Sequence, residues 1–260
     1  MSSMVAYRYK TACARIAGRS HVQSRTPCQD YVSSRQGRDI ACIALADGAG
    51  SRARSEFGAE VAVKATIRFV CKHFDMLWDQ AAEDSGEVAR QLTEYCLAAL
   101  RRKARTLECA VEDLACTLLF VAQQGERYLI GHLGDGLIAR LTGDGRVEAL
   151  SHPDNGEFAN TTRFLTDPSA VRRLRIARGT DDGSGGFAIM SDGTAESLYL
   201  KASRTPAASA IQKLLGWNAA LPKARMEAIL AANLEQAFAR KTTDDCSIAL
   251  LSACPRSEAA

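Results

Sequence analysis

The stretch Ile43-Ala44-Leu45-Ala46-Asp47-Gly48-Ala49-Gly50-Ser51 decides how this chain is to be read. Its apolar first half has the composition of a buried strand. It stops abruptly at Asp-Gly, where glycine lets the backbone turn sharply or approach a ligand closely. A carboxylate is thereby delivered to the mouth of a rigid element. Taken alone, the pattern is far more often that of a plain turn, so its meaning depends on whether other stretches repeat the design.

Upstream, Val5 to Ile16 reads as a first strand and Gly18 to Asp30 as a turn-rich loop, with strand character resuming at Tyr31-Val32. Downstream, Glu56–Phe74 and Gly86–Leu107 carry apolar residues at helical spacing. The basic cluster Arg101-Arg102-Lys103-Ala104-Arg105 falls at the end of the second helix, where cations suit the helix dipole. The period then shortens. Ala115–Ala122, Tyr128–Leu133, Leu137–Leu141 and Arg146–Leu150 read as a succession of hairpins separated by glycine-containing turns. A polar loop spans 152–168, and strands are expected at Val171–Ala177 and Phe187–Met190. Helices are expected at Glu196–Arg204, Pro206–Leu215 and Pro222–Arg240, and a last strand at Cys246–Leu251. Blocks of strands and helices, without strict alternation, indicate α+β rather than a parallel sheet. With no repeat or linker in sight, one domain over 1–260 is expected.

Composition narrows the function classes. The 260 residues are 47% hydrophobic and 24% charged, which is that of a globular protein, not a disordered chain. The formal charge of +3 is dispersed and aromatics are only 6%, so no nucleic-acid partner is indicated. Nine cysteines without a Cys-x-x-Cys pair suggest a reducing compartment rather than a disulfide scaffold or a zinc site. No stretch reaches the ~20 apolar residues of a membrane span, and the N-terminus lacks a signal-peptide layout. A cytoplasmic location is the expectation.

Four stretches share the design of Ala46-Asp47-Gly48: Gln29-Asp30, Ser191-Asp192-Gly193 and Asp244-Asp245 join it, with Gly134-Asp135-Gly136 as a fifth candidate. Each has a bland alternative. Asp30 can close a turn, Gly134-Asp135-Gly136 can be a hairpin loop, Ser191 or Asp192 can cap a helix, and Asp244-Asp245 can be a solvated loop. If the stretches converge, their like charges raise one another's pKa values, and divalent cations remove that conflict. Oxygen ligands without His or Cys suit Mg²⁺ or Mn²⁺ rather than Zn²⁺. Two such ions ~4 Å apart can hold a hydroxide and clamp a phosphoryl group for in-line attack.

In that order, these residues resemble the metal-dependent serine/threonine protein phosphatases of type 2C. Cys28-Gln29-Asp30 is similar to the family's first acidic motif, and Ala46-Asp47-Gly48-Ala49-Gly50 to its Asp-Gly motif. Ala115-Cys116-Thr117, His132-Leu133-Gly134-Asp135-Gly136, Ser191-Asp192-Gly193 and Asp244-Asp245-Cys246-Ser247 follow in the family's sequence, so the resemblance covers about residues 5–252. Gly18-Arg19-Ser20-His21 and Gly156-Glu157-Phe158-Ala159-Asn160 resemble a bacterial subgroup. The resemblance implies a sandwich of two antiparallel sheets flanked by helices, with two metals held at one end. It implies that Asp47 bridges both metals, that the Gly48 carbonyl binds one, and that Asp192 and Asp244 bind the other. Asp30 would act through metal-bound water, and Asp135 and Glu196 fall where the family can hold a third ion. Arg25, five residues before Asp30, has the spacing of the family's phosphate-binding arginine, although the loop around it differs and a solvated arginine is the alternative. The region 152–168 lies where the family has a mobile flap.

Two further departures stand out. Asp245 replaces the usual Asn, which changes the hydrogen bonding around the ligands. Ala49 occupies a position where some members carry a general-acid His, so a proton must come from metal-bound water or a group such as His21, and aryl phosphates are expected to be favoured. His21 is otherwise read as structural or solvated, and His132 as a satisfied core residue. The expected function is Mn²⁺- or Mg²⁺-dependent hydrolysis of phosphoserine and phosphothreonine in a phosphorylated protein, opposing a Ser/Thr kinase. The rival readings are a catalytically weak phosphoprotein-binding regulator, a hydrolase of small phosphoesters on the same scaffold, and a plain structural domain.

Overall fold

The computed structural model describes residues 7–154, 162–181 and 185–255. Strand β1 (Tyr7–Ile16) leads through a short helix, α1 (Arg19–Ser24), to β2 (Tyr31–Gln36) and β3 (Ala41–Ala46). Two long helices follow, α2 (Ser55–Glu83) and α3 (Ser85–Leu107), then β4 (Leu118–Gln124), β5 (Arg127–Leu133), β6 (Leu137–Leu141) and β7 (Val147–Ser151). Helix α4 (Ala170–Arg173), β8 (Arg175–Thr180), β9 (Gly186–Met190) and α5 (Asp192–Leu198) come next. The chain ends with the short pair β10 (Tyr199–Leu200) and β11 (Thr205–Pro206), helices α6 (Ala208–Ala220) and α7 (Lys223–Asn233), and β12 (Cys246–Pro255).

The long strands form two antiparallel five-stranded sheets, ordered β1-β12-β9-β6-β7 and β2-β3-β4-β5-β8. Their inner faces meet through Ile43, Leu45, Val121, Ile130, Phe187, Ile189 and Leu251. The outer face of the second sheet packs on α2 and α3, and that of the first on α5, α6 and α7. The expected α+β sandwich flanked by helices is therefore the architecture observed. It also explains why β3 reads as an unbroken apolar run, since an antiparallel strand with one wet face would alternate. Here Ile43 and Leu45 face the other sheet while Cys42, Ala44 and Ala46 face the helices, so every residue of β3 is buried.

Several local expectations change. The segment 18–30 contains α1, none of whose residues is buried. It is held from outside: Ser20 N–H donates to the Thr243 carbonyl (3.1 Å) and Arg19 to the Thr242 carbonyl (3.1 Å). Val171–Arg173 lie in α4 rather than in a strand, and only Arg175–Thr180 pairs, at the sheet edge against β5. The helix expected at Glu196–Arg204 starts earlier, at Asp192, and ends at Leu198, where β10 turns back to pair with β11. The helix expected to end at Phe74 runs to Glu83 across a kink at His73. Beyond Asn233 the last helix loosens into a π-helical turn, Leu234–Phe238. Residues 155–161 of the expected flap lie outside the described residues. Among the described residues no helix is long and apolar enough to cross a membrane.

Candidate metal centre

Asp47 leaves β3 with both of its peptide groups fixed. Its N–H donates to Thr117 Oγ1 (2.8 Å), and its carbonyl accepts from Thr117 N–H (2.8 Å). The next residue is held from two sides. Gly48 forms a bridge to Cys116, and its N–H donates to the Gln29 carbonyl (3.2 Å). A Cβ on Gly48 would stand 2.8 Å from Ser55 Cβ and 2.9 Å from the Gln29 carbonyl oxygen, so only glycine fits. The Asp-Gly step thus joins three segments: the approach to β2, the start of α2 and the approach to β4.

Gly134-Asp135-Gly136 is not a hairpin turn. Strand β5 pairs with β4 and β8, whereas β6 pairs with β7 and β9, so these residues carry the chain from one sheet to the other. Gly134 takes φ +114°, and a Cβ there would meet Thr117 Cγ2 at 2.5 Å. His132 steadies the crossover from within the core, with Nε2 3.0 Å from the Gly134 carbonyl and Nδ1 2.8 Å from Ser151 Oγ. With Arg175 also donating toward Nδ1 (3.1 Å), the ring is the neutral tautomer protonated on Nε2. Burial, with Arg175 adding to it, holds its pKa well below the usual histidine range.

Asp192 opens α5 directly after β9. Ser191 makes no side-chain cap; its Oγ accepts instead from Ser247 N–H (3.0 Å), pinning the start of α5 to the start of β12. Asp244 and Asp245 immediately precede that strand.

The result is convergence. Carboxylate oxygens of Asp47, Asp135 and Asp192 all lie within 4.8 Å of one another, and among the described residues no cation pairs with them. Burial first, then Asp30, Asp192, Asp135 and Asp244, pushes Asp47 well above the usual carboxylate range. Asp192 is pushed up to about 7 by burial, with Asp135, Asp244 and Asp30 adding to it. Asp30 is also raised to about 7; burial is the main cause, Asp245 adds to it, and the Ser247 and Ser191 hydroxyls oppose it. Asp30 is 1% exposed, and although the Ser247 and Ser191 hydroxyls lie near it, neither carboxylate oxygen has a partner at hydrogen-bond distance and angle. Buried, unpaired like charges are costly unless a cation joins them. The donor set, all oxygen with orphaned acceptors beside it, fits hard divalent ions.

The tight triad includes Asp135, which the resemblance places at a third ion, whereas Asp30 and Asp244 are not part of it. Asp244 is exposed, and its Oδ1 accepts from Asp245 N–H (2.8 Å). Glu196, one turn after Asp192, faces Lys201 at 4.0 Å. Arg25 is the C-cap of α1 at φ +58°, with an exposed side chain that makes no polar contact among the described residues. Two roles escape sequence reasoning. Thr117 clamps Asp47, and Asp245 collects three hydrogen bonds: from Gly18 N–H (2.7 Å), from Gln29 N–H (2.6 Å) and from His21 Nδ1 (2.9 Å). A threonine opening a strand and the second of two aspartates carry no signal of such contacts.

Fold and site together define a chain of the type 2C phosphatase kind, and comparison with known proteins makes the assignment. The family model described as protein phosphatase 2C matches residues 17–236, so the chain belongs to that family and is a phosphoprotein phosphatase by class. Serine/threonine-protein phosphatase 3 of Escherichia coli (strain K12) is 31% identical over 183 residues, 66% of this chain and 68% of the relative. Among solved structures, PppA, described as a regulatory component of the type VI secretion system (T6SS) in Pseudomonas aeruginosa, superposes with a TM-score of 0.62 at 17% identity, covering 96% of this chain and 99% of that one. The catalytic domain of the phosphatase PstP, solved with two manganese ions, gives 0.56 at 19% identity, covering 95% and 99%.

Proposed function

We propose that this chain is a single-domain, Mn²⁺- or Mg²⁺-dependent phosphatase that removes phosphate from serine and threonine of a phosphorylated protein. The observation carrying the reading is the meeting of Asp47, Asp135 and Asp192 beside the orphaned carboxylate of Asp30. Two ions would be held by Asp47, the Gly48 carbonyl, Asp192 and Asp244, with Asp30 acting through water and Asp135 available to a third. When bound, such ions supply an activated water and neutralise phosphoryl charge. The protein's own contribution is placement. Thr117 fixes Asp47, the Ser191–Ser247 bond fixes Asp192, and the two sheets keep the carboxylates from spreading apart.

The mouth of the site suits an anionic partner. Arg25, Arg52 and Arg54 are exposed on the two loops that reach Gly48, and their guanidinium groups make no ion pair among the described residues. A cavity of about 470 Å³ lies between these loops, its lining including Gln29, Gly50, Arg52, Arg54 and the acidic Glu56. Arg25 is accordingly proposed as a contributor to phosphate attraction. The cysteines are all free, which supports a reducing, cytoplasmic setting. A phosphoserine peptide assay with Mn²⁺, with EDTA and with Asp192→Asn tests the reading. Phosphate release that needs the metal and Asp192 is expected, and undiminished release in EDTA overturns it.

A further inference from the structure

A serine leaving from phosphorus departs as an alkoxide unless a side chain or water protonates it, and a positioned donor contributes ~10²–10⁴ in rate. The loop after Asp47 offers none, since Ala49 is a buried methyl. The chain has four histidines. His132 has both ring nitrogens engaged in the core, and His152 is bonded to Tyr199 Oη (2.7 Å). His73 sits at the kink of α2, stacked near Phe69. Of the four, only His21, on the segment that leads to Asp30, contacts the segment that carries Asp244.

Its placement is built rather than incidental. His21 Nδ1 lies 2.9 Å from Asp245 Oδ1, and Asp245 is 2% exposed. The same carboxylate binds Gln29 N–H, next to Asp30, and Asp245 itself follows Asp244. The backbone of α1 is strapped to Thr243 through Ser20. An acceptor on Nδ1 fixes the tautomer and leaves Nε2 as the functional nitrogen. His21 Nε2 has no partner among the described residues, and its side chain retains 17% exposure.

We infer that Asp245 and His21 form a proton-donating pair, in which Asp245 positions the imidazole and His21 Nε2 protonates the departing seryl or threonyl oxygen. The inference rests on the phosphatase reading above. Water supplies the oxygen that bonds to phosphorus. The bond from phosphorus to the seryl oxygen breaks, its electron pair stays on that oxygen, and the Nε2 proton moves there. The proton released by the incoming water returns to the imidazole through solvent, so the products are the free hydroxyl side chain and inorganic phosphate. With Nδ1–H held by Asp245, donation from Nε2 leaves a neutral ring whose remaining proton stays on Nδ1.

The test compares a phosphoserine peptide with an aryl phosphate, whose phenolate leaves without a proton. His21→Asn is the informative variant, because its amide can still donate to Asp245. The expected result is a fall of ~10²-fold in the peptide-to-aryl ratio of kcat, with unchanged melting temperature and Mn²⁺ affinity. An unchanged ratio in His21→Asn makes the pair a structural strap and overturns the inference. Wild-type inactivity toward both substrates instead overturns the phosphatase reading, and this inference with it. A second readout is independent of turnover. In the Mg²⁺-loaded protein, ¹⁵N signals of His21 should shift at Nε2 on adding inorganic phosphate, and should shift at Nδ1 in Asp245→Asn. No response at Nε2 also contradicts the proposal.

Discussion

Replacing Gly48 by alanine adds one methyl group at the most crowded point of the site. That carbon would approach Ser55 Cβ at 2.8 Å, the Gln29 carbonyl oxygen at 2.9 Å and Ser55 C at 2.9 Å. Two of the three are backbone atoms, so relief requires the chain itself to move by about half an ångström to reach ordinary contact. Overpacking of this kind costs ~1–3 kcal/mol, which for a domain of this size lowers Tm by ~2–12 °C. The functional loss should be larger than the stability loss. Asp47 is bonded to its neighbour and cannot stay on Thr117 while Gly48 shifts, and a misplacement of ~1 Å can cost ~10²-fold. The assay is kcat on an aryl phosphate at saturating Mn²⁺, run well below the variant's Tm. A ~10²-fold fall in a folded protein is expected. Wild-type turnover together with wild-type Mn²⁺ affinity would refute the idea that the Asp-Gly step sets the site's geometry.

Three further outcomes are expected. His132 stays neutral in the core while the unfolded chain takes a proton below about 6.5, so its contribution to stability is present above that pH and is lost as pH falls. Thermal melts should therefore fall less between pH 7 and 5 in His132→Gln than in the wild type, and parallel curves would contradict this. Asp30 acts in the opposite sense in metal-free protein. Its pKa, raised to about 7 from an ordinary 3.8, makes the folded state progressively costlier as pH rises through that window, by at most ~4 kcal/mol. Since Asp47 and Asp192 share that strain, Asp30→Asn in EDTA should gain about half of this at pH 8 and nothing near pH 4; destabilisation at pH 8 would count against a strained carboxylate. Thr117→Val keeps shape but strands the Asp47 N–H, which should cost ~1–3 kcal/mol and weaken Mn²⁺ binding. Calorimetric titration that finds unaltered affinity would reduce Thr117 to packing.

Much of this was legible in the order of residues because the information is local. The unbroken apolar run of β3 marks a strand covered on both faces, and Asp-Gly marks where it ends. The repetition of that layout at Asp30, Asp192 and Asp244 signals a shared purpose that no single copy conveys. What the sequence hid depends on distant partners. Helix α1 has no apolar face and exists because Thr242 and Thr243 hold it. The turn at Gly134-Asp135-Gly136 looks like a hairpin because the local pattern is identical whether the next strand pairs back or crosses to the other sheet. Asp245 reads as a change in the hydrogen bonding around the ligands, but which groups it binds is hidden until folding brings Gly18, His21 and Gln29 to it. Arg25 had the right spacing, yet among the described residues nothing holds its side chain.

The central claim is that Asp47, Asp135 and Asp192, with Asp30 and Asp244 around them, form a divalent-metal site. Isothermal titration of the EDTA-stripped protein with Mn²⁺, repeated on Asp47→Asn, tests it most directly because it does not depend on knowing the substrate. The account predicts saturable binding of at least two ions to the wild type, with release of protons from the carboxylates and a rise in Tm with metal concentration. In Asp47→Asn, a folded protein should lose most of that binding. Equal stoichiometry and affinity in the two proteins would contradict the account.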